Sequence, residues 1–144
     1  TVFGRVSTPK LAELYRRATV FCLPSSYEGF GVPYLEAMAS GTPVVATPNP
    51  GANEVLDRGR CGVIAEPDAL GSALLALLRE PDQRGRLREL GLERAAAYGW
   101  DRVVERYEDL YRQAGAARDG SAQRDAAASS VNEADLRPAP RRAG

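Results

Sequence analysis

A doubly wound α/β fold built on a parallel sheet is predicted by three features of the first 114 residues. Short, β-branched apolar runs alternate with segments of helical length. The runs are apolar throughout rather than every second residue, as strands covered on both faces are. Proline or glycine stands at most of the junctions, where the chain must leave one regular element and enter the next.

Taken in order, Val2 and Phe3 end one apolar run. Thr8 and Pro9 read as N-cap and first-turn proline of a helix through LAELYRRA. TVFCLP (19–24) is a buried strand. The loop SSYEGFG follows, and VPYLEAMAS is a helix closed by Gly41 at its carboxyl end. TPVVAT (42–47) is a second buried strand, PNPGAN a loop, and CGVIAE (61–66) a third strand. Pro67 and Asp68 start a helix that lines up Leu70, Ala73, Leu74, Leu77 and Leu78. Two further helices are read at roughly 82–98 and 100–113. In the last, Trp100, Val103, Val104, Tyr107, Leu110 and Tyr111 share one face, and such a stripe has to be covered by something. Residues 115–144 hold Val131 and Leu136 as their only large aliphatics, too few to offset chain entropy, and are read as a disordered tail. The division is therefore 1–114 folded and 115–144 tail. Few strands, no initiating Met and a start that runs straight into structured sequence read as a fragment.

Composition removes several function classes. Nineteen basic and nineteen acidic side chains balance, so nothing argues for nucleic acid as a partner. The Arg-rich stretch DQRGRLRELGLER carries interleaved acids and reads as a solvated face. The sequence has no histidine, which excludes Ser-His-Asp and Cys-His nucleophile activation and His-ligated zinc together. Cys22 and Cys61 are too few for a disulfide framework or a four-thiolate metal site and read as buried thiols. No run approaches the roughly 18 apolar residues of a membrane span. TVFGRVSTPK lacks the plan of a signal peptide, and a cytoplasmic location is expected.

In doubly wound sheets ligands bind beyond the carboxyl ends of strands, where loops lead into helices. SSYEGFGVPYLE stands at such a place. Gly29 and Gly31 flank Phe30, so bare N–H groups can face a ligand beside a helix N-terminus, although a Gly-x-Gly can equally be plain turn geometry. Glu28 lies in the loop and Glu36 on the helix. With the helix starting at Val32, Glu36 lies about 6 Å along the axis. It borders an expected buried stripe of Val32, Leu35 and Ala39, where it can face a cleft or pair with an arginine in solvent. Tyr27, Phe30 and Tyr34 could stack on a base or pack the loop. Asn53 and Glu54 could approach a ligand, or Glu54 could cap a following short helix.

YEGFGVPYLEAMASGTPVVAT, followed by GANEVL, CGVIAEPD and AAAYGWDRVVERYEDLY, resembles the carboxy-terminal domain of retaining GT-B glycosyltransferases. The resemblance covers residues 1 to about 113. Glu28 and Glu36 match the family's Glu-x7-Glu signature. Gly29, Phe30 and Gly31 match its glycine loop, and Ala37, Gly41, Pro43 and Val44 match the next helix and strand. It implies a Rossmann-like half of a GT-B fold, truncated at its amino-terminal side, that holds a nucleoside-diphosphate sugar. It implies that Glu36 binds the ribose hydroxyls, that Glu28, the catalytic candidate, contacts the donor sugar, and that the 29–31 amides approach sugar and phosphate.

The reaction implied is hexosyl transfer with retention, in which the leaving phosphate takes the acceptor's proton. No metal and no further cofactor are expected. The partner implied is an amino-terminal acceptor domain absent from this sequence, along with the Arg and Lys that meet the donor pyrophosphate upstream. The fragment alone is then inactive, and peripheral membrane association through the absent domain stays open. In the family the final helix crosses back to that domain. A non-catalytic nucleotide-sugar-binding domain and a related sugar-nucleotide epimerase are the alternatives, the latter fitting the Glu-x7-Glu and AAAYGW segments worse.

Overall fold

The computed structural model describes residues 1–115 and divides into two units, 1–99 and 100 onward. In the first unit, α1 (Thr8–Arg17), β1 (Phe21–Leu23), α2 (Val32–Ala39), β2 (Val44–Ala46), α3 (Pro50–Val55), β3 (Val63–Ile64), α4 (Leu70–Arg79) and α5 (Pro81–Ala96) follow one another. The strands form a parallel sheet in the order β1-β2-β3, with Phe21 opposite Val44 and Val45 opposite Val63. The expected α/β class with a parallel sheet is what the chain adopts.

Successive strand residues point to opposite faces, and each face has its own core. Val44 and Ala46 join Tyr15, Tyr34, Ala37, Met38, Val55 and Leu56 on the side of α1, α2 and α3. Val45 joins Leu77 and Leu87 on the side of α4. Each fully buried Val or Leu contributes about 1.5–3 kcal/mol, which is why strands of two or three residues suffice to hold the layers. α5 serves both faces: Leu87 enters the second core, while Leu90 and Ala95 pack against the first. Gly91 lies against Met38, where a Cβ would come within 3.3 Å of its Cγ.

Several sequence expectations are corrected. The PNPGAN segment is not all loop. Asn49 caps α3, its Oδ1 accepting from Ala52 N at 2.8 Å, and Pro50 opens the helix, so two residues that break helices internally here start one. Glu54 accordingly lies inside α3 and is not a cap. The N-cap of α1 is Ser7, with Thr8 and Pro9 in the first turn, and α4 begins at Leu70 rather than at Pro67. The buried face of α2 is Tyr34, Ala37 and Met38; Val32 is 53% exposed, Ala39 is exposed and Leu35 is partly covered. Tyr34 is fully buried, with its hydroxyl against Asn49 Nδ2 and Leu23 O. On α4, Leu77 is buried while Leu78 is half exposed. Cys61 is buried but Cys22 only partly so, and both thiols are free.

In the second unit, residues 100–115 are helical, and no described element of that unit covers the stripe of Trp100, Val104, Tyr107, Leu110 and Tyr111. The tail expected at 115–144 lies, from 116 on, outside the described residues.

Candidate functional site

The carboxyl ends of β1 and β2 carry the loop over 24–31 and the short turn over 47–49, and buried hydrogen bonds sew the two together. Thr47 Oγ1 donates to Ser25 O at 2.7 Å. Asn49 Nδ2 donates to Ser25 O at 3.2 Å, to Thr47 O at 3.0 Å and to Tyr34 Oη at 3.2 Å. Gly51 N donates to Glu28 O at 3.0 Å. A Cβ on Gly51 would lie 2.8 Å from Phe30 C and 2.9 Å from Glu28 O, so only glycine lets α3 approach the loop this closely. Gly31 is the N-cap of α2 at φ 90°, ψ 40°, and a Cβ there would meet the Tyr34 ring at 2.5 Å. Both restrictions act on backbone, and together they set where Glu28 stands.

Glu28 is half-buried, and its Oε1 accepts from Ser25 Oγ at 3.0 Å. Its charge reaches the Tyr34 hydroxyl. Burial pushes that phenol above its ordinary pKa, the hydrogen bond from Asn49 opposes the rise, and the Glu28 charge adds to it. Gly29 is exposed with open space where a Cβ would be. Phe30 is 45% exposed and stands edge-on to Tyr98 at 5.7 Å between centroids, while Tyr27 points largely to solvent. Of the three aromatics weighed for base stacking, Tyr34 is therefore a core anchor rather than a ligand surface.

Glu36 sits one turn into α2 and is exposed. Its Oε2 accepts a hydrogen bond at 3.2 Å from the hydroxyl of Tyr15, a buried residue of α1 whose ring also meets Phe21 edge-on. Burial, then the Glu36 charge and the hydrogen bond to it, push the Tyr15 phenol from 10.0 to about 12. This hydroxyl is a donor at any physiological pH. Glu36 borders two hollows. One, about 220 Å³, is lined also by Thr8, Leu11, Ala12 and Tyr15. The other, about 250 Å³, lies between Leu35, Ala39, Ala95 and Tyr98. Glu28, on the loop that precedes α2, lines neither, so the two carboxylates do not share a hollow.

Glu54 is engaged by the residues at the end of α5, its Oε1 accepting from Tyr98 Oη at 3.1 Å with Arg94 nearby. Two contributors were missed in the sequence. Asn49 was readable as an N-cap before proline, and Tyr15 had no local signal at all. Among the described residues no three His, Cys, Asp or Glu side chains gather closely enough to hold a metal ion, and no helix is long and apolar enough to cross a membrane.

Residues 1–94 match the family described as glycosyl transferases group 1. D-inositol 3-phosphate glycosyltransferase of Corynebacterium urealyticum is 38% identical over 106 residues, covering 72% of this chain and 25% of the relative. MMP alpha-(1->4)-mannosyltransferase of Mycolicibacterium hassiacum is 39% identical over 114 residues, or 76% and 28% of the two chains. Among solved structures, sucrose-phosphate synthase from Thermosynechococcus elongatus, a GT-B protein, superposes with a TM-score of 0.72 at 35% identity, over 81% of this chain and 30% of that one. The chain thus spans about a quarter of the length of these curated relatives.

Proposed function

This chain belongs to the glycosyl transferases group 1 family, and we propose that it is the part of a retaining hexosyltransferase that holds the nucleoside-diphosphate sugar. The observation that supports this most is the placement of Glu28 on the loop that leaves the carboxyl end of β1, with Glu36 one turn into the helix that this loop opens. Glu28 rides on a loop whose backbone is fixed by Gly51 and Asn49. Glu36 is oriented by a hydroxyl bond to one oxygen. In the proposed complex Glu36 accepts from the vicinal ribose hydroxyls, a charge-assisted pair. Glu28 accepts from hydroxyls of the donor sugar. The 29–31 amides, beside the positive end of α2, face sugar and phosphate.

In the transfer the bond between the anomeric carbon and the diphosphate oxygen breaks, and the acceptor oxygen bonds to that carbon on the same face. The acceptor's hydroxyl proton passes to the departing phosphate. No imidazole base is required, in keeping with a chain that has no histidine, and no metal ion enters the scheme. The remaining part of the enzyme supplies the acceptor site and the cations that meet the pyrophosphate.

Calorimetry on the full-length enzyme with UDP-, GDP- and ADP-sugars tests the reading. One series should bind, and Glu36→Ala should weaken it by about 1.5–3 kcal/mol. Glu28→Gln should lower turnover while leaving affinity for the bare diphosphate nearly intact. Unchanged nucleotide affinity in a folded Glu36→Ala protein would refute the ribose role, and parallel losses in Glu28→Gln would refute the division of labour.

A further inference from the structure

The opposite end of the sheet, where the strands begin, carries a further hollow of about 260 Å³. It is lined by Arg16, Thr19, Gly41, Pro43, Arg84 and Arg88. Three arginines, one from α1 and two from α5, therefore border one small space. Like charges gathered this way repel unless something of opposite sign lies between them. Among the described residues no carboxylate comes within ion-pair distance of any of the three.

Capping of helix ends is the ordinary use for such arginines, and it accounts for one of them. Arg84 Nη1 donates to Leu77 O at 2.8 Å and Leu78 O at 2.5 Å, closing α4. Several of the carbonyls at the ends of α1 and α2 are already satisfied by backbone or hydroxyl donors. Ala18 N donates to Leu14 O and Tyr15 O, and Thr42 Oγ1 donates to Tyr15 O. Ser40 N, Gly41 N and Thr42 N serve Glu36 O, Met38 O and Ala37 O. Arg16 and Arg88 are left with no protein acceptor among the described residues. Arg88 is also placed: Gly41, at φ 77°, leaves room for its guanidinium, which would lie 3.2–3.6 Å from a Cβ at that position.

We propose that this hollow binds a phosphate-bearing anion, with Arg16 and Arg88 as its ligands and the fixed Arg84 as its positive wall. Planar guanidinium forks match phosphate oxygens two at a time. The site is separate from the one at the carboxyl ends of the strands and needs nothing from it.

The test is a titration of the full chain with inorganic phosphate and then pyrophosphate at constant ionic strength, followed by the arginine side-chain NMR signals. Saturable shifts of the Arg16 and Arg88 signals are expected. Arg16→Gln and Arg88→Gln should each weaken binding roughly tenfold or more, leaving the melting temperature without phosphate unchanged. Cosedimentation with phosphatidylcholine vesicles containing phosphatidic acid identifies the source of the phosphate. Binding that depends on both arginines points to a lipid headgroup; phosphate binding without vesicle binding points to a soluble ligand, and either upholds the site. Shifts that never saturate, or equal affinity in the double variant, overturn it.

Discussion

Glu28 and Glu36 are eight residues apart, yet the molecule places them by different means. Glu28 is located through its backbone, because its loop is fastened to α3 by a glycine that permits contact, a buried asparagine and a buried threonine. Glu36 is located through its side chain, standing on an exposed helix face with one hydroxyl steering one oxygen. The difference teaches where each is vulnerable. The loop that carries Glu28 is disturbed by changes that also damage the fold, with the Ser25 hydroxyl adding one side-chain contact, whereas Glu36 can be released with little loss of stability.

The sharpest way to break the first mode is Gly31→Ala. It forces an alanine to φ 90° and drives its Cβ into the Tyr34 ring. Left-handed strain and overpacking together should cost about 2–4 kcal/mol, read from the denaturant midpoint. An unchanged midpoint would mean that the Glu28 loop is not held at this joint. Asn49→Ala comes next. It removes the α3 cap and the bonds to Ser25 O and Thr47 O, and about 2–3 kcal/mol of stability should go with them.

The second mode is sharpened by Tyr15→Phe, which deletes the hydroxyl and keeps the ring. Stability should fall by only about 0.5–1.5 kcal/mol, because Glu36 stays solvated, and nucleotide affinity should fall by a similar amount. A stability loss as large as that of Asn49→Ala would erase the distinction between the two carboxylates. A further effect is one of pH. The folded chain holds the Tyr15 proton to about 12, against 10.0 for an ordinary phenol. The contribution is therefore complete below pH 10 and is lost as pH rises from 10 to 12. Urea midpoints across that window should drop more steeply for the parent than for Tyr15→Phe.

The strands were legible as short apolar runs set off by proline or glycine, although of the three only β2 is buried throughout and β1 and β3, expected to be buried, are partly exposed. α3 was not. Six residues, PGANEV, are too few to show a helical period, and the two breakers in it belong to its start. The turned face of α2 was hidden for another reason. Val32, Leu35 and Ala39 and the observed Tyr34, Ala37 and Met38 are both apolar sets at helical spacing, so periodicity did not choose between them; the buried set is the one that holds Tyr34, whose hydroxyl meets Asn49 fifteen residues away. The candidate carboxylates could be picked out from the chain, but the support of each could not. Tyr15 and Glu36 are twenty-one residues apart, and only the packing of α1 on α2 brings them together.

α5 lends Leu87 to one core and Leu90, Gly91 and Ala95 to the other. A sheet with separate cores could lose one layer at a time, with a half-melted form populated in between. A shared helix forbids that, since its detachment uncovers Leu77 and Met38 at once. Amide exchange on the two faces of β2 should then report a single opening event, with the same free energy for Val44 and Val45.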